Sequence, residues 1–245
     1  MKRKPINVLV ATLLCLAAAA PATSAIATRV STTARSRFSG RVDLAGAEHS
    51  GMPVDALKLA LSAIQCATAS GDIKAPPTLT LIDYSRPSIE PRMWVFDLNS
   101  GRLLFKELVA HGRNTGENMA TRFSDAMNSH QTSLGLFVTS DAYVGTNGYS
   151  LRLDGLEPGF NARARARAIV MHGAPYVDAK LAAAQGRIGR SWGCPALREA
   201  VARKVIDTIR GGGVIFSYYP DAAWLKSSRF LNGCGGSAPT VLATS

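Results

Sequence analysis

The sequence predicts a mainly β domain with a few helices, and three observations predict it. Seven short runs rich in apolar, β-branched and aromatic residues lie between residues 76 and 220, separated by Gly, Pro, Asn and Ser. One amphipathic helical period precedes these runs, and a second falls among them. The chain has 245 residues, 47% hydrophobic and 18% charged, a composition that buries a core and excludes disorder throughout.

Taken in order, residues 1–25 read as a secretory signal peptide. Lys2, Arg3 and Lys4 precede an apolar run from Val8 to Ala20, and the small-residue stretch Ala20 to Ala25 follows, with candidate cleavage after Ala25 or Ala27. The run falls short of the about 18 apolar residues of a membrane-spanning helix, so no span is expected in the mature protein. Leu14 before Cys15 argues against a lipoprotein signal. Export is therefore expected.

Residues 26–50 read as a flexible linker, rich in Ser, Thr, Arg and Gly without an apolar period. In the segment 51–75, Leu57, Ala60, Leu61 and Ile64 recur at helical spacing between Pro53 and Ala69, with Pro53 suited to a first turn and Gly71 to a stop. A β-rich domain is expected over 76–220. Its strands are expected at Leu79–Tyr84, Met93–Leu98, Leu103–Ala110, Leu136–Thr139, Tyr149–Leu153, Ala168–His172 and Val214–Tyr219, with a hairpin turn at Asn99-Ser-Gly101. The polar stretch Gly112–Ser133 is long for a structureless loop and reads as functional or as holding a short helix. Asn161–Ala168 alternates Arg with Ala, as an extended segment with Arg163, Arg165 and Arg167 on one face; a charged, solvated edge and an anion-binding edge both fit. The tail 221–245 turns Gly-, Ser- and Ala-rich from Ser227 on and is expected to lack order unless Cys234 anchors it.

The formal charge of +11 falls to +8 once the signal, with its three basic groups and no acid, is removed. A basic exported protein is drawn to anionic surfaces such as a wall or phospholipid headgroups, and the same charge serves solubility equally well. Nucleic acid is not an expected partner, because export removes the target and no binding motif is present. The mature chain keeps Cys66, Cys194 and Cys234. In an oxidising compartment the economical arrangement pairs Cys66 with Cys234 and leaves Cys194 free; three unpaired cysteines are the alternative.

Chemistry concentrates between His172 and Arg198. Cys194 precedes Pro195 and a helical period of Leu197, Val201, Val205, Ile206 and Ile209 that ends at Gly211, so the expected place of Cys194 is a helix N-terminus, where the dipole favours a thiolate. A cysteine nucleophile needs a base and the base an orienting group. His172 ends a strand and is followed by Gly173, which makes it the leading candidate; His49 lies in the linker, and His111 and His130 border or occupy the polar stretch. Gly189-Arg-Ser191-Trp-Gly193 matches G-x-S-x-G, but the hydrolases that use it need a histidine after the serine, and none follows His172. Ser191 is therefore expected to shape the turn or position substrate. No metal-ligand spacing unites the histidines with Cys194, and neither metal nor cofactor is expected.

His172-Gly173 with Ser191-Trp192-Gly193-Cys194 resembles the H-G and S-H-G-C signature of the L,D-transpeptidases of bacterial cell walls, the YkuD-like catalytic domain. Thr132-Ser-Leu-Gly-Leu-Phe137 is similar to that family's T-P-x-G-x-F strand, and Gly189 to Leu197 looks like its secreted Gram-negative branch. The resemblance covers roughly residues 53–220. Trp192 replaces the second motif histidine, Arg198 stands four residues past the cysteine where the family has about two, and the spacer from His172 to Cys194 is longer than usual. The resemblance implies a β-sandwich with the cysteine at a helix start. It further implies Cys194 as nucleophile, His172 as base oriented by the Gly173 carbonyl, an oxyanion site at the Gly193 and Cys194 N–H groups, and Arg190 and Arg198 as candidates for stem carboxylates. The implied substrates are peptidoglycan stem peptides in the periplasm or at the cell wall, cross-linked or exchanged at their terminal D-amino acid through a Cys194 thioester. A cysteine L,D-carboxypeptidase and a non-catalytic wall-binding protein are the alternatives, and neither the acyl acceptor nor an oligomeric state follows from the sequence.

Overall fold

The computed structural model describes residues 42–234; the expected signal peptide, most of the expected linker and the last residues of the tail lie outside them. Within this span nine strands form one sheet in the order β3-β2-β1-β9-β5-β6-β7-β8-β4. They are β1 (Thr78–Asp83), β2 (Met93–Asp97), β3 (Leu103–Glu107), β4 (Val109–Ala110), β5 (Gly135–Gly145), β6 (Gly148–Gly155), β7 (Val170–Gly173), β8 (Ala196–Leu197) and β9 (Val214–Tyr218). Each expected strand is present within a few residues of its expected core. The separate sheets of a sandwich are not: β9 pairs parallel to β1 on one side and antiparallel to β5 on the other, which joins the two halves through hydrogen bonds.

Both faces of the sheet are covered. Alternation along β1 sends Leu79 and Leu81 to one face, where they join Trp94, Phe96, Leu136, Val214 and Phe216, and Ile82 to the other, with Met93, Val95, Phe137 and Ile215. On the first face lies α2 (Val54–Ala69), its buried stripe made of Ala56, Leu57, Ala60, Leu61, Ala63, Ile64 and Ala67. The small alanines let the helix lie close, while Leu57, Leu61 and Ile64 supply most of the apolar area, at about 1.5–3 kcal/mol for each such side chain. On the second face lies α4 (Glu199–Ile209), which buries Ala202, Val205, Ile206 and Ile209.

Two local expectations, the linker end and the Arg-Ala run, are corrected, and the condition set for an ordered tail is met. The end of the expected linker, from Leu44 to His49, forms a short helix α1, begun by Asp43, whose carboxylate accepts the Gly46 N–H at 3.0 Å. The tail forms α5 (Ala222–Ser227) and α6 (Arg229–Asn232), which follow the short helix α3 (Ala179–Gln185) and α4 in chain order. Trp224 and Phe230 are buried against the α2 face, and Cys66 on α2 is bonded to Cys234, with 5.6 Å between their Cα atoms. The Arg-Ala run is not extended: Asn161–Ala168 coils through consecutive turns, with Ala164 N–H bonded to the Asn161 carbonyl and Arg167 N–H to that of Arg163. The Asn161 side chain pins the turn, accepting from Glu157 N–H and donating to the Leu134 and Leu136 carbonyls. The three arginines therefore share no face. Arg163 is exposed, Arg165 pairs with Asp154, and Arg167 turns inward.

Candidate functional site

Cys194 is the free cysteine among the described residues, and it is 7% exposed. It does not begin a helix. Ala196 and Leu197 form β8, which pairs parallel to β7 and antiparallel to β4, and α4 starts only at Glu199 with Arg198 as its N-cap. Leu197 satisfies both the helical period and this strand, and pairing with sequence-distant residues decides between them. The sulfur instead packs against the entry to β7: Val170 N–H donates to Sγ at 3.5 Å, and Sγ donates to the Ala168 carbonyl at 3.7 Å. Burial pushes the thiol up from its ordinary range, while the Val170 N–H and the nearby Arg167 guanidinium work against that rise.

His172 lies two residues beyond Val170 on β7, in register with Ala196. Val170, whose backbone N–H meets the sulfur, and His172 share a face of β7, since residues two apart on a strand do. The imidazole Nδ1 is 2.8 Å from the Gly173 carbonyl; a carbonyl only accepts, so Nδ1 carries the proton and Nε2 keeps the lone pair. Burial holds the imidazole pKa below its ordinary value, which keeps the ring neutral. The hydrogen-bond partners of Sγ are Ala168 and Val170, and His172 is not among them. Gly173 admits the start of α4, since a β-carbon there would lie 3.0 Å from Ala202 Cβ and 3.3 Å from Glu199 Cα.

Between Gly189 and Cys194 the chain turns tightly. Ser191 Oγ donates to the Cys194 carbonyl at 2.6 Å and accepts the Gly193 N–H at 3.1 Å, so Ser191 shapes the turn and the Gly193 N–H is already engaged. Gly193 has φ of +119°, and a β-carbon on it would meet the Gln131 carbonyl at 2.8 Å. Trp192 stands 70% exposed beside the cysteine, with its ring stacked on His130 at 5.1 Å and 18°. Arg190 is held by Glu117 at 2.6 Å and by the Gly116 and Arg113 carbonyls. Arg198 makes a forked pair with Glu107 at 2.7–3.0 Å. Both arginines thus have internal partners.

The stretch Gly112–Ser133 contains no helix and forms the wall facing this turn. Ser191 N–H donates to the His111 carbonyl and Arg113 N–H to the Ser191 carbonyl, which stitches the two segments together. His111 is buried: Arg92 Nη2 donates to its Nδ1 at 2.7 Å, and its Nε2–H reaches the Gly116 carbonyl. Burial first and the Arg92 charge second lower its pKa to about 4. Arg167, which the sequence left open between a solvated and an anion-binding edge, and Asp125, which sequence reasoning missed, lie 3.7 Å apart under the same wall with side chains 3% and 6% exposed. Their signals were a charge inside an alternating run and an acid inside a polar loop, and neither reveals burial. Among the described residues no group of three or more His, Cys, Asp or Glu is placed to hold a metal ion.

An L,D-transpeptidase from Mycobacterium smegmatis matches with 15% identity over 59% of this chain and 60% of its own, at a TM-score of 0.38. An L,D-transpeptidase from Stackebrandtia nassauensis matches with 15% identity over 72% and 76%, at 0.36, and the helical cell shape determining protein Pgp2 from Campylobacter jejuni with 11% identity over 65% and 57%, at 0.39. The chain spans about 60% of the first of these structures. No curated protein matches it. The sequence model of the L,D-transpeptidase catalytic domain, YkuD_2, matches residues 48–218, a span that runs from the end of α1 to the end of β9 and includes His172, Gly173 and the whole turn to Cys194. On that match, which takes in well over half of the chain, the protein belongs to the L,D-transpeptidase catalytic domain family.

Proposed function

We propose that the protein is an exported cysteine L,D-transpeptidase that acts on peptidoglycan stem peptides in the periplasm. The observation that carries this reading is a free thiol set beside a strand whose histidine has its Nδ1 proton committed to the Gly173 carbonyl, leaving Nε2 as a base. In the reaction the thiol turns from the Ala168 carbonyl toward His172, an adjustment in keeping with catalytic hydrogen bonds that tighten only around substrate. Nε2 accepts the proton, and the thiolate attacks the carbonyl that joins the third stem residue to D-alanine.

As the tetrahedral intermediate collapses, the C–N bond breaks and the imidazolium gives its proton to the departing D-alanine amine. A thioester remains on Cys194. An amine of a second stem then attacks the thioester, His172 takes up its proton, and the cross-link forms as the thiol is restored. With the Gly193 N–H bonded to Ser191 Oγ, the Cys194 N–H is the remaining oxyanion donor of the two that the motif suggests. The stacked Trp192 ring gives the approach to the sulfur a flat apolar face where a motif histidine would place a polar one.

The test is chromatographic analysis of a disaccharide-tetrapeptide incubated with wild type, Cys194→Ala and His172→Ala. D-alanine release and a cross-linked or trimmed product are expected from wild type, and a loss of about 10³-fold or more from either variant, since nucleophile and base act as a unit. Equal product from Cys194→Ala would remove the cysteine mechanism; wall binding with no product from any variant would favour a binding protein.

A further inference from the structure

A thiolate needs positive potential, and the helix that the sequence places at Cys194 has its N-cap four residues later, at Arg198, too far on to supply it. Arg167 occupies the place instead. Its guanidinium donates through Nη1 to the Ser124 carbonyl at 2.8 Å and Ser133 Oγ at 2.5 Å, and through Nη2 to Ser129 Oγ at 3.0 Å and the Gln131 carbonyl at 2.6 Å. Four acceptors from one loop are thus wrapped around one cation. The cysteine turn rests on that assembly: a β-carbon on Gly193 would lie 2.8 Å from the Gln131 carbonyl and 3.4 Å from Arg167 Nη2. The carbonyl that receives the thiol hydrogen belongs to Ala168, the next residue along.

The ionisable groups around the sulfur come from several elements. Tyr84 after β1 and Tyr176 after β7 are held un-ionised by burial, His172 is neutral, and Arg198 is matched by Glu107. Arg167 faces one carboxylate, Asp125, at 3.7 Å, and four of its contacts are to neutral oxygens. Much of its charge is therefore left to act on the neighbouring sulfur, and in a buried setting a charge acts more strongly than in water.

We propose that Arg167 is the positioning residue of the thiol site: clamped by the 124–133 loop, its buried guanidinium favours the Cys194 thiolate and fixes the wall on which the cysteine turn rests. This deepens the transpeptidase reading but concerns the thiol itself, so it is tested without turnover. The rate of Cys194 alkylation by iodoacetamide is followed against pH by peptide mass mapping in the disulfide-intact protein, for wild type, Arg167→Met, Arg167→Lys and Asp125→Asn, with thermal melting of each.

The alkylation midpoint is expected to rise by about one pH unit in Arg167→Met, a roughly tenfold slower reaction near neutrality, to stay close to wild type in Arg167→Lys, and to fall in Asp125→Asn, where the cation loses its counter-charge. A purely structural role would lower the melting temperature and leave the midpoint where it was, and a folded Arg167→Met with an unchanged midpoint overturns the proposal. Should Arg167→Met not fold, Asp125→Asn decides: a downward shift supports the proposal, and an unchanged or raised midpoint overturns it. Absence of D-alanine release by wild type, with these shifts intact, would count against the reaction and not against Arg167.

Discussion

Cys194 and His172 stand out in the sequence as candidates because their setting is local: a cysteine in a Gly-rich turn, and a histidine at the end of a short apolar strand followed by glycine. The burial of Arg167 and His111 does not show there, because it is decided by residues far along the chain. Arg167 closes on a loop 34–43 residues earlier, and His111 meets Arg92 19 residues away. The His111 environment predicts a pH effect. Its pKa of about 4 against an ordinary 6.5 means that the unfolded chain takes up a proton first as the pH falls. The stability it contributes is full above pH 6.5 and is lost progressively toward pH 4, about 3 kcal/mol over that window. Denaturant melts from pH 7 to pH 4 should show a shallower acid slope in His111→Gln than in wild type, and equal slopes would contradict the assignment. Trp192 predicts a different split. Because Trp94 and Trp224 are fully buried, iodide quenching of tryptophan fluorescence reports Trp192, and a stem-peptide substrate should protect it. Trp192→Ala should leave stability within about 0.5 kcal/mol and raise KM several-fold with a smaller change in kcat; an unchanged KM would place substrate elsewhere.

Among elements, the strands were legible because short apolar runs between turn residues admit few other structures, and α2 because its buried stripe repeats at 3.6 residues. The start of α4 was misplaced for a definable reason: Leu197 satisfies the helical period, but its backbone and that of Ala196 pair with β7 and β4, and no local signal shows that pairing. The Arg-Ala run misled in the opposite sense, since a period of two fits a strand, and the side chain of Asn161 turns it into a coil. The tail helices are too short to stand alone and draw their order from packing. Asp221 caps α5 by accepting the Trp224 N–H at 2.7 Å, and the Trp224 ring is buried with its Nε1–H on Glu157. Trp224→Ala is expected to cost about 3–5 kcal/mol in denaturant unfolding, from the cavity and from the abandoned carboxylate together. A loss below 1 kcal/mol would mean that the tail contributes little to the fold.

For the molecule as a whole, one sheet with helices on both faces holds the thiol site at the β7–β8 pairing, while the Cys66–Cys234 bond clips the tail to α2. That bond spans 168 residues, and loop closure of this size is worth up to about 5 kcal/mol. Cys66→Ser with Cys234→Ser should therefore lower the melting temperature markedly, and because neither cysteine touches the thiol site, activity per folded molecule should persist. The pairing was the economical choice for three mature cysteines, whereas the joining of the two halves of the sheet by β9 depends on contacts no short motif encodes. The central claim, that Cys194 forms a thioester with a peptidoglycan stem, is tested most directly by intact-protein mass spectrometry after mixing with a disaccharide-tetrapeptide. The account predicts a covalent adduct equal to the substrate less D-alanine, mapped to Cys194 and absent from Cys194→Ala; folded protein with a titratable Cys194 thiol, no adduct and no free D-alanine would contradict it.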